Sequence, residues 1–296
     1  ARILYAAWAM RWQGRQRSTR VEDRRGRGLS GGKVAGGGIG VLLAVLAISW
    51  LTGADPQEVA NVVVPAARSG ADAGPAPPPP ADDEQAAFVS VVLADTEQTW
   101  GRLLPQEVGQ PYREPSLVLF SDAVDSACGL GSAAMGPFYC PLDGKVYLDL
   151  TFFRELESRF GAPGDFARAY VVAHEVGHHV QNLLGISGQV QRQRQGLPQA
   201  QGNELSVRLE LQADCLAGVW GHHAGTERDL LESGDVEEGL AAAAAIGDDR
   251  MQRQTRGTVV PESFTHGTSA QRARWLRRGL ESGDPAACDT FAAGAL

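Results

Sequence analysis

The stretch VVAHEVGHHVQNLLG, residues 171–185, carries three histidines and a glutamate in a run without proline. Phe166, Tyr170, Ala173, Val176, Val180 and Leu184 form one apolar stripe at helical spacing through and ahead of it. A helix is therefore expected between Gly164 and Gly185, with Asp165 as candidate N-cap and Gly185 as stop. On that helix His174 and His178 stand one turn apart on the same face, close enough for both imidazoles to reach one metal ion. Glu175 is turned about 100° from His174, which suits a carboxylate beside a metal's water and not on the metal. Zinc hydrolysis needs that arrangement: the metal lowers the pKa of its water and the glutamate takes the proton. His179 falls out of phase with the pair and is expected to pack or to support a neighbouring ligand, not to bind the metal itself. The five-residue pattern H-E-x-x-H can also arise by chance, so the rest of the chain must supply a third ligand.

A second helix is expected over GNELSVRLELQADCLAGVWGHHAG, residues 202–225, with Asn203 as cap. It offers two candidates for that ligand, the pair His222 and His223 or the single Glu210. Glu210 and Asp214 are four apart and share a face. Glu210 can then bind the metal while Asp214 accepts a hydrogen bond from the outer nitrogen of a ligand histidine. A solvated acidic pair is the plain alternative, but Leu211, Ala213 and Cys215 around it argue against a fully wet face. Glu210 is the expected ligand.

Outward from these helices the pattern is α+β, mostly helical on the C-terminal side. AAFVSVVLADTEQTWGRLL reads as an amphipathic helix ending before Pro105, and Ser116–Asp122 as a strand. GPFYC and KVYLDLTFF are joined by PLDG, whose Asp-Gly marks a tight antiparallel turn. KVYLDL is a candidate edge strand for pairing with an extended peptide. Two more helical segments follow, VEEGLAAAAAIGDDRMQRQ and SAQRARWLRRGLES. Cys128 and Cys140 flank a Gly-rich loop, so a local bridge is the simplest of three connectivities and leaves Cys215 with Cys288. No C-x-x-C spacing exists, which argues against a cysteine zinc site.

The N-terminal part differs in composition. Residues 1–33 hold nine Lys/Arg against two acids, a balance of +7, while the remainder holds 18 against 33, a balance of -15. A basic segment on an acidic body argues against nucleic acid and points to a membrane surface, with a solvated arm as the alternative. Val34–Gly53 carries no charge over the length that spans a bilayer, so a transmembrane helix is expected at 34–53. By the positive-inside rule residues 1–33 are then cytoplasmic and the body extracytoplasmic; a cleaved signal peptide is the rival. Residues 54–85, rich in Pro and Ala, read as an extended stalk. The folded domain is expected over 86–296, and Met10 is a candidate translation start.

AHEVGHHVQ, ELQADCLAG, GPFYCPLDGKVYLDLTFF and FTHGTSAQRARW occur in an order that resembles the neutral zinc metallopeptidase family of bacterial membrane-anchored proteins. The opening MRWQGRQRSTRVEDRRG is similar to that family's N-terminal segment. The resemblance runs from about Met10 to Phe291 except the Pro-rich stalk. It implies a zincin-type fold, one Zn2+ on His174, His178 and Glu210, Glu175 as general base, and a peptide or protein substrate in the bacterial envelope. His266, in a loop before the last helix, resembles the late histidine of membrane-linked gluzincins. It is the candidate oxyanion donor, with Tyr170 and His223 as rivals and a surface-loop histidine as the plain reading. Two other functions compete: a non-catalytic envelope scaffold, and zinc hydrolysis of a cell-wall amide.

Overall fold

The structure, a computed structural model, describes residues 10–26, 76–109, 111–292, 294 and 296. A four-stranded sheet runs β1 (Val21–Asp23), β2 (Ser116–Phe120), β6 (Lys145–Asp149), β5 (Phe138–Cys140). The first three strands are parallel, and β5 returns antiparallel to β6 through the expected Asp-Gly turn. A two-stranded antiparallel lobe, β3 (Ala123–Ser126) and β4 (Gly129–Ser132), lies between β2 and β5 in sequence. Eight helices are described: α1 (Glu84–Val108), α2 (Thr151–Ser158), α3 (Asp165–Leu183), α4 (Ile186–Arg194), α5 (Gln199–Thr226), α6 (Asp235–Ala245), α7 (Asp248–Arg256) and α8 (Ser269–Ser282). The α+β class expected from the sequence holds.

Strand alternation explains how the sheet is buried. Leu117, Leu119, Val146 and Leu148 face the main core, with Phe153, Phe166, Tyr170, Trp220 and Trp275 from the helices. Val118, Phe120 and Tyr147 point the other way, into a small cluster closed by Val124 of β3 and by Cys140. α3 is the central helix and touches α1, α5, α6 and the β5–β6 hairpin. Disulfides join Cys128 to Cys140 and Cys215 to Cys288. The first ties the lobe to β5; the second ties α5 to the C-terminal segment.

Several expected boundaries shift. α1 continues through Pro105 to Val108, ending at Gly109, whose N–H reaches Pro105 O. α5 begins at Gln199, so Asn203 is not its cap; its amide instead donates to Glu262 O at 2.8 Å. The segment from Val236 is split by Gly247 into α6 and α7. KVYLDL is not an edge strand, because β6 lies between β2 and β5, and the edges are β1 and β5.

The largest difference lies at the N-terminus. Residues 10–26 are part of the folded body. Met10 and Val21 are buried, the Trp12 ring meets Phe88 edge-on at 5.4 Å, and β1 hydrogen-bonds along β2. The basic side chains find acids of the body: Arg11 meets Asp229 and Glu232, Arg20 meets Glu114, and Arg25 meets Asp83 at 2.6 Å. The charge asymmetry of the sequence is thus matched largely within one molecule. A strand bonded into a sheet lies on the same side of any bilayer as that sheet, so the expected separation of segment 1–33 from the body does not hold for residues 10–26. The expected span at 34–53 and residues 54–75 of the expected stalk lie outside the described residues. Among the described residues no helix is long and apolar enough to cross a membrane.

Asp165 does not cap α3. Gly164 holds that position, and Glu238 of α6 accepts the Phe166 N–H at 3.3 Å. Burial, aided by the charge of Asp235, raises the Glu238 carboxyl to about 7 from its ordinary 4.5. A carboxyl raised in the folded state favours folding below its unfolded value, and that contribution is lost as pH climbs through the folded one. Glu238→Gln should therefore be near neutral at pH 4 and stabilising at pH 8, by about 1 kcal/mol after allowance for partial exposure. Urea midpoints at the two pH values read this directly.

Candidate functional site

The site begins with a glycine. A Cβ on Gly177 would sit 2.9 Å from Ala213 O and 3.2 Å from Ala213 Cα, so α3 and α5 approach more closely there than a larger residue permits. That contact sets Glu210, on the turn before Ala213, opposite the two histidines of α3. His174 Nε2 lies 3.2 Å from Glu210 Oε2, and His178 Nε2 lies 3.4 Å from Glu210 Oε1. Among the described residues these three form the one group of donors that could hold a metal ion, all within 4.8 Å of one another. Donors on a tetrahedron with bonds of about 2.0–2.1 Å stand about 3.3 Å apart. The donor types suit zinc, and the two distances from Glu210 to the histidines, 3.2 and 3.4 Å, match that spacing.

Outer partners fix the two rings. His178 Nδ1 is 2.9 Å from Gln181 Oε1, while the Gln181 amide nitrogen donates to Leu209 O at 2.7 Å and to Gln212 Oε1 at 3.1 Å. The amide is thereby oriented with its oxygen toward the ring, which places the proton on Nδ1 and turns the Nε2 lone pair to the pocket. His174 Nδ1 lies 2.8 Å from Asp214 Oδ1, although this buried nitrogen has no aligned hydrogen bond. Asp214 is itself wholly buried and firmly held. Tyr170 donates to it at 2.6 Å, and Arg272 donates through Nε and one terminal nitrogen, each at 2.9 Å.

This network rests on a second close approach. A Cβ on Gly218 of α5 would stand 2.2 Å from Leu276 O, and one on Gly279 of α8 would stand 2.0 Å from Cys215 O. The two helices meet backbone to backbone, which brings Arg272 against Asp214.

The electrostatics ask for positive charge. Burial alone would lower His174, but Asp214 and Glu210 outweigh it and raise the imidazole to about 10. His178 is also raised, since Glu210 overcomes its burial. Burial alone would raise the Glu210 carboxyl, yet His178 and His174 hold it well below its usual range. The site therefore favours a cation among its donors. Glu175 differs: burial raises its carboxyl, and the histidines only partly oppose that.

Glu175, His174, His178, Glu210 and His266 all line one cleft of about 470 Å³. The His266 loop is tied down by Asp248, whose Oδ2 accepts the N–H groups of Thr265, His266 and Gly267 at 2.7, 2.7 and 3.1 Å. Asp248 Oδ1 also stands 3.2 Å from His266 Nδ1. The rivals are committed elsewhere. Tyr170 bonds Asp214 and Arg272; His222 faces Leu280 O; His223 sits between Glu227 and Gly283 O. His179 is a packing residue as expected, reaching Arg113 O through Nε2 and the Tyr139 hydroxyl through Nδ1 at 3.0 Å. Gln181 and Arg272 escaped the sequence reading.

A helix carrying His174, Glu175 and His178, faced by a glutamate from the next long helix over a cleft, defines a domain built around one candidate metal centre. The chain belongs to the family described as "Putative neutral zinc metallopeptidase", which matches residues 10–291. It is 50% identical over 291 residues to the uncharacterized protein YpfJ of Escherichia coli (strain K12), covering 95% of this chain and 99% of that protein. It is 48% identical over 210 residues to an uncharacterized protein of Mycobacterium tuberculosis (strain ATCC 25618 / H37Rv), covering 68% of each. No solved structure matches.

Proposed function

We propose that this chain is a zinc-dependent peptidase in which His174, His178 and Glu210 hold one Zn2+ and Glu175 is the general base. The observation that carries the reading is the convergence of both Nε2 atoms on Glu210 at 3.2 and 3.4 Å, beside Glu175 in an open cleft. Bound zinc would supply a Lewis acid that acidifies a water and polarises the peptide carbonyl. Glu175 takes the water's proton and delivers it to the leaving amine; its raised carboxyl pKa suits both steps. Gln181 bonds the outer nitrogen of His178 and the Asp214 carboxylate stands 2.8 Å from that of His174, which leaves the inner nitrogens to face the metal. His266, held by Asp248, donates to the developing oxyanion. Two disulfides support an oxidising compartment such as the bacterial envelope for the body, and residues 10–26, paired to its sheet, would share it. Contact with a lipid bilayer is assigned to Val34–Gly53 on its composition.

The full chain should carry close to one zinc by elemental analysis. His174→Ala and Glu210→Ala should each reduce this to near none after dialysis against a weak chelator. Full occupancy in the double variant would remove the ligand assignment.

A further inference from the structure

The donor trio occupies one part of the cleft; the rest has a different chemistry. One turn ahead of His174 on α3, Val171 opens a wall continued by Met135, Phe152, Phe160, Ile246 and Met251. The rings of Phe152 and Phe160 lie 6.4 Å apart, and α7 is tied to the same wall by Arg250, whose guanidinium donates to Phe160 O at 3.4 Å. The charged residues lining the cleft are the histidines, Glu175, Glu210 and Arg272, and Arg272 is spent on Asp214. The apolar wall therefore offers a charged group no ionic partner, and burying a charge against it is costly.

The strand beside this wall indicates what enters it. β5 is one of the sheet's two edge strands, and its Phe138 and Tyr139 line the cleft. Pro137 and Pro141 bracket the strand and confine it to three residues. An edge this short can take on a short extended segment while resisting indefinite pairing with other sheets. In an extended segment alternate side chains point the same way, so one side chain next to the bond over the donors is directed to the apolar wall.

We propose that Met135, Phe152, Phe160, Val171, Ile246 and Met251 form a selectivity pocket for a bulky uncharged side chain, such as Leu, Met or Phe, next to the scissile bond of an extended polypeptide. The proposal rests on the peptidase reading above. The cleft volume accommodates one such side chain together with a stretch of backbone. Met251 sits half-buried on α7, so a longer charged side chain can be introduced there to change the pocket's charge.

The test uses the full chain with zinc and a peptide library varied on both sides of the cleaved bond. Leu, Met or Phe at one fixed position should exceed Ser or Asp there by at least about tenfold in kcat/KM. Met251→Arg should turn that preference toward Asp and Glu, and the milder Met251→Ala should flatten it. Fluorescence anisotropy with zinc-loaded Glu175→Gln and labelled Leu or Asp peptides reads the pocket without turnover, and the Leu peptide should bind at least about tenfold tighter. Turnover with a flat or charged preference, or an unchanged profile in Met251→Arg, would overturn the pocket and leave the peptidase reading standing. If no library member is cleaved, the peptidase reading falls. Binding to Glu175→Gln then decides the pocket, with selective binding of the Leu peptide supporting it and equal binding of both peptides overturning it.

Discussion

Glu175→Gln should retain its zinc and lose about 10²- to 10⁴-fold in kcat on any peptide the wild type cleaves. The substitution preserves size and removes the ability to accept a proton, which is the one property the proposed role requires. Glu175 is not one of the three donors, so turning its carboxylate into an amide leaves His174, His178 and Glu210 in place. Zinc content and steady-state kinetics on the same preparation separate the two effects. A variant that keeps both zinc and near wild-type turnover would take the base away from Glu175. The structure adds a reason for this carboxylate to be effective, since burial raises it above the ordinary carboxyl value and so strengthens it as a proton acceptor.

The second large effect concerns stability. Asp214 is wholly buried and Arg272 is 3% exposed, and the pair is held by two hydrogen bonds of 2.9 Å. Burial would raise the Asp214 carboxyl, but Arg272 and His174 hold it below its ordinary value. Arg272→Met removes the main compensation and leaves a carboxylate stranded in the core. A loss of about 3–5 kcal/mol is expected. The double variant Arg272→Met with Asp214→Asn should lose less than the single one, because it leaves no buried charge behind. Urea unfolding of the three proteins measures both claims. An equal or larger loss in the double variant would mean that packing, and not charge, dominates at this site.

The sequence revealed the donors because they obey local rules. His174 and His178 are one turn apart, Glu210 and Asp214 likewise, and each pair sits in a strongly patterned helix. Gln181 was legible in principle: it is three residues past His178, where its side chain can reach the same ring, yet it is completely buried. Arg272 carried a similar signal. It occupies the buried phase of α8 with Trp275, Leu276 and Gly279, a position where an unpaired arginine would be intolerable. Its partner lies 58 residues away, and periodicity does not supply partners.

The same limit hid β1. Three residues among arginines do not read as a strand, and only β2, far along the chain, makes them one. Local charge counting likewise registers a basic tail and cannot see that Glu114, Asp83, Asp229 and Glu232 wait for it. The edge strand was misassigned for a related reason. β6 and β5 are joined by a readable hairpin, but β2 covers the outer side of β6 by a parallel pairing that leaves no mark in either strand's own residues.

The seam between β1 and the start of α1 has a consequence for how the gene product can be cut and rejoined. Asp23 N–H donates to Pro77 O at 2.8 Å, so the chain leaves the body and re-enters it at one spot. Residues 10–26 are thus joined to the body from 76 onward by direct contacts of their own, whatever links the two in sequence. The part that cannot be trimmed is the short piece before it. A fragment beginning at Glu84 would expose the outer edge of β2 and the face that Met10, Trp12 and Val21 cover. The described folded unit is therefore built from two non-contiguous stretches of one chain, and the smaller of them comes first.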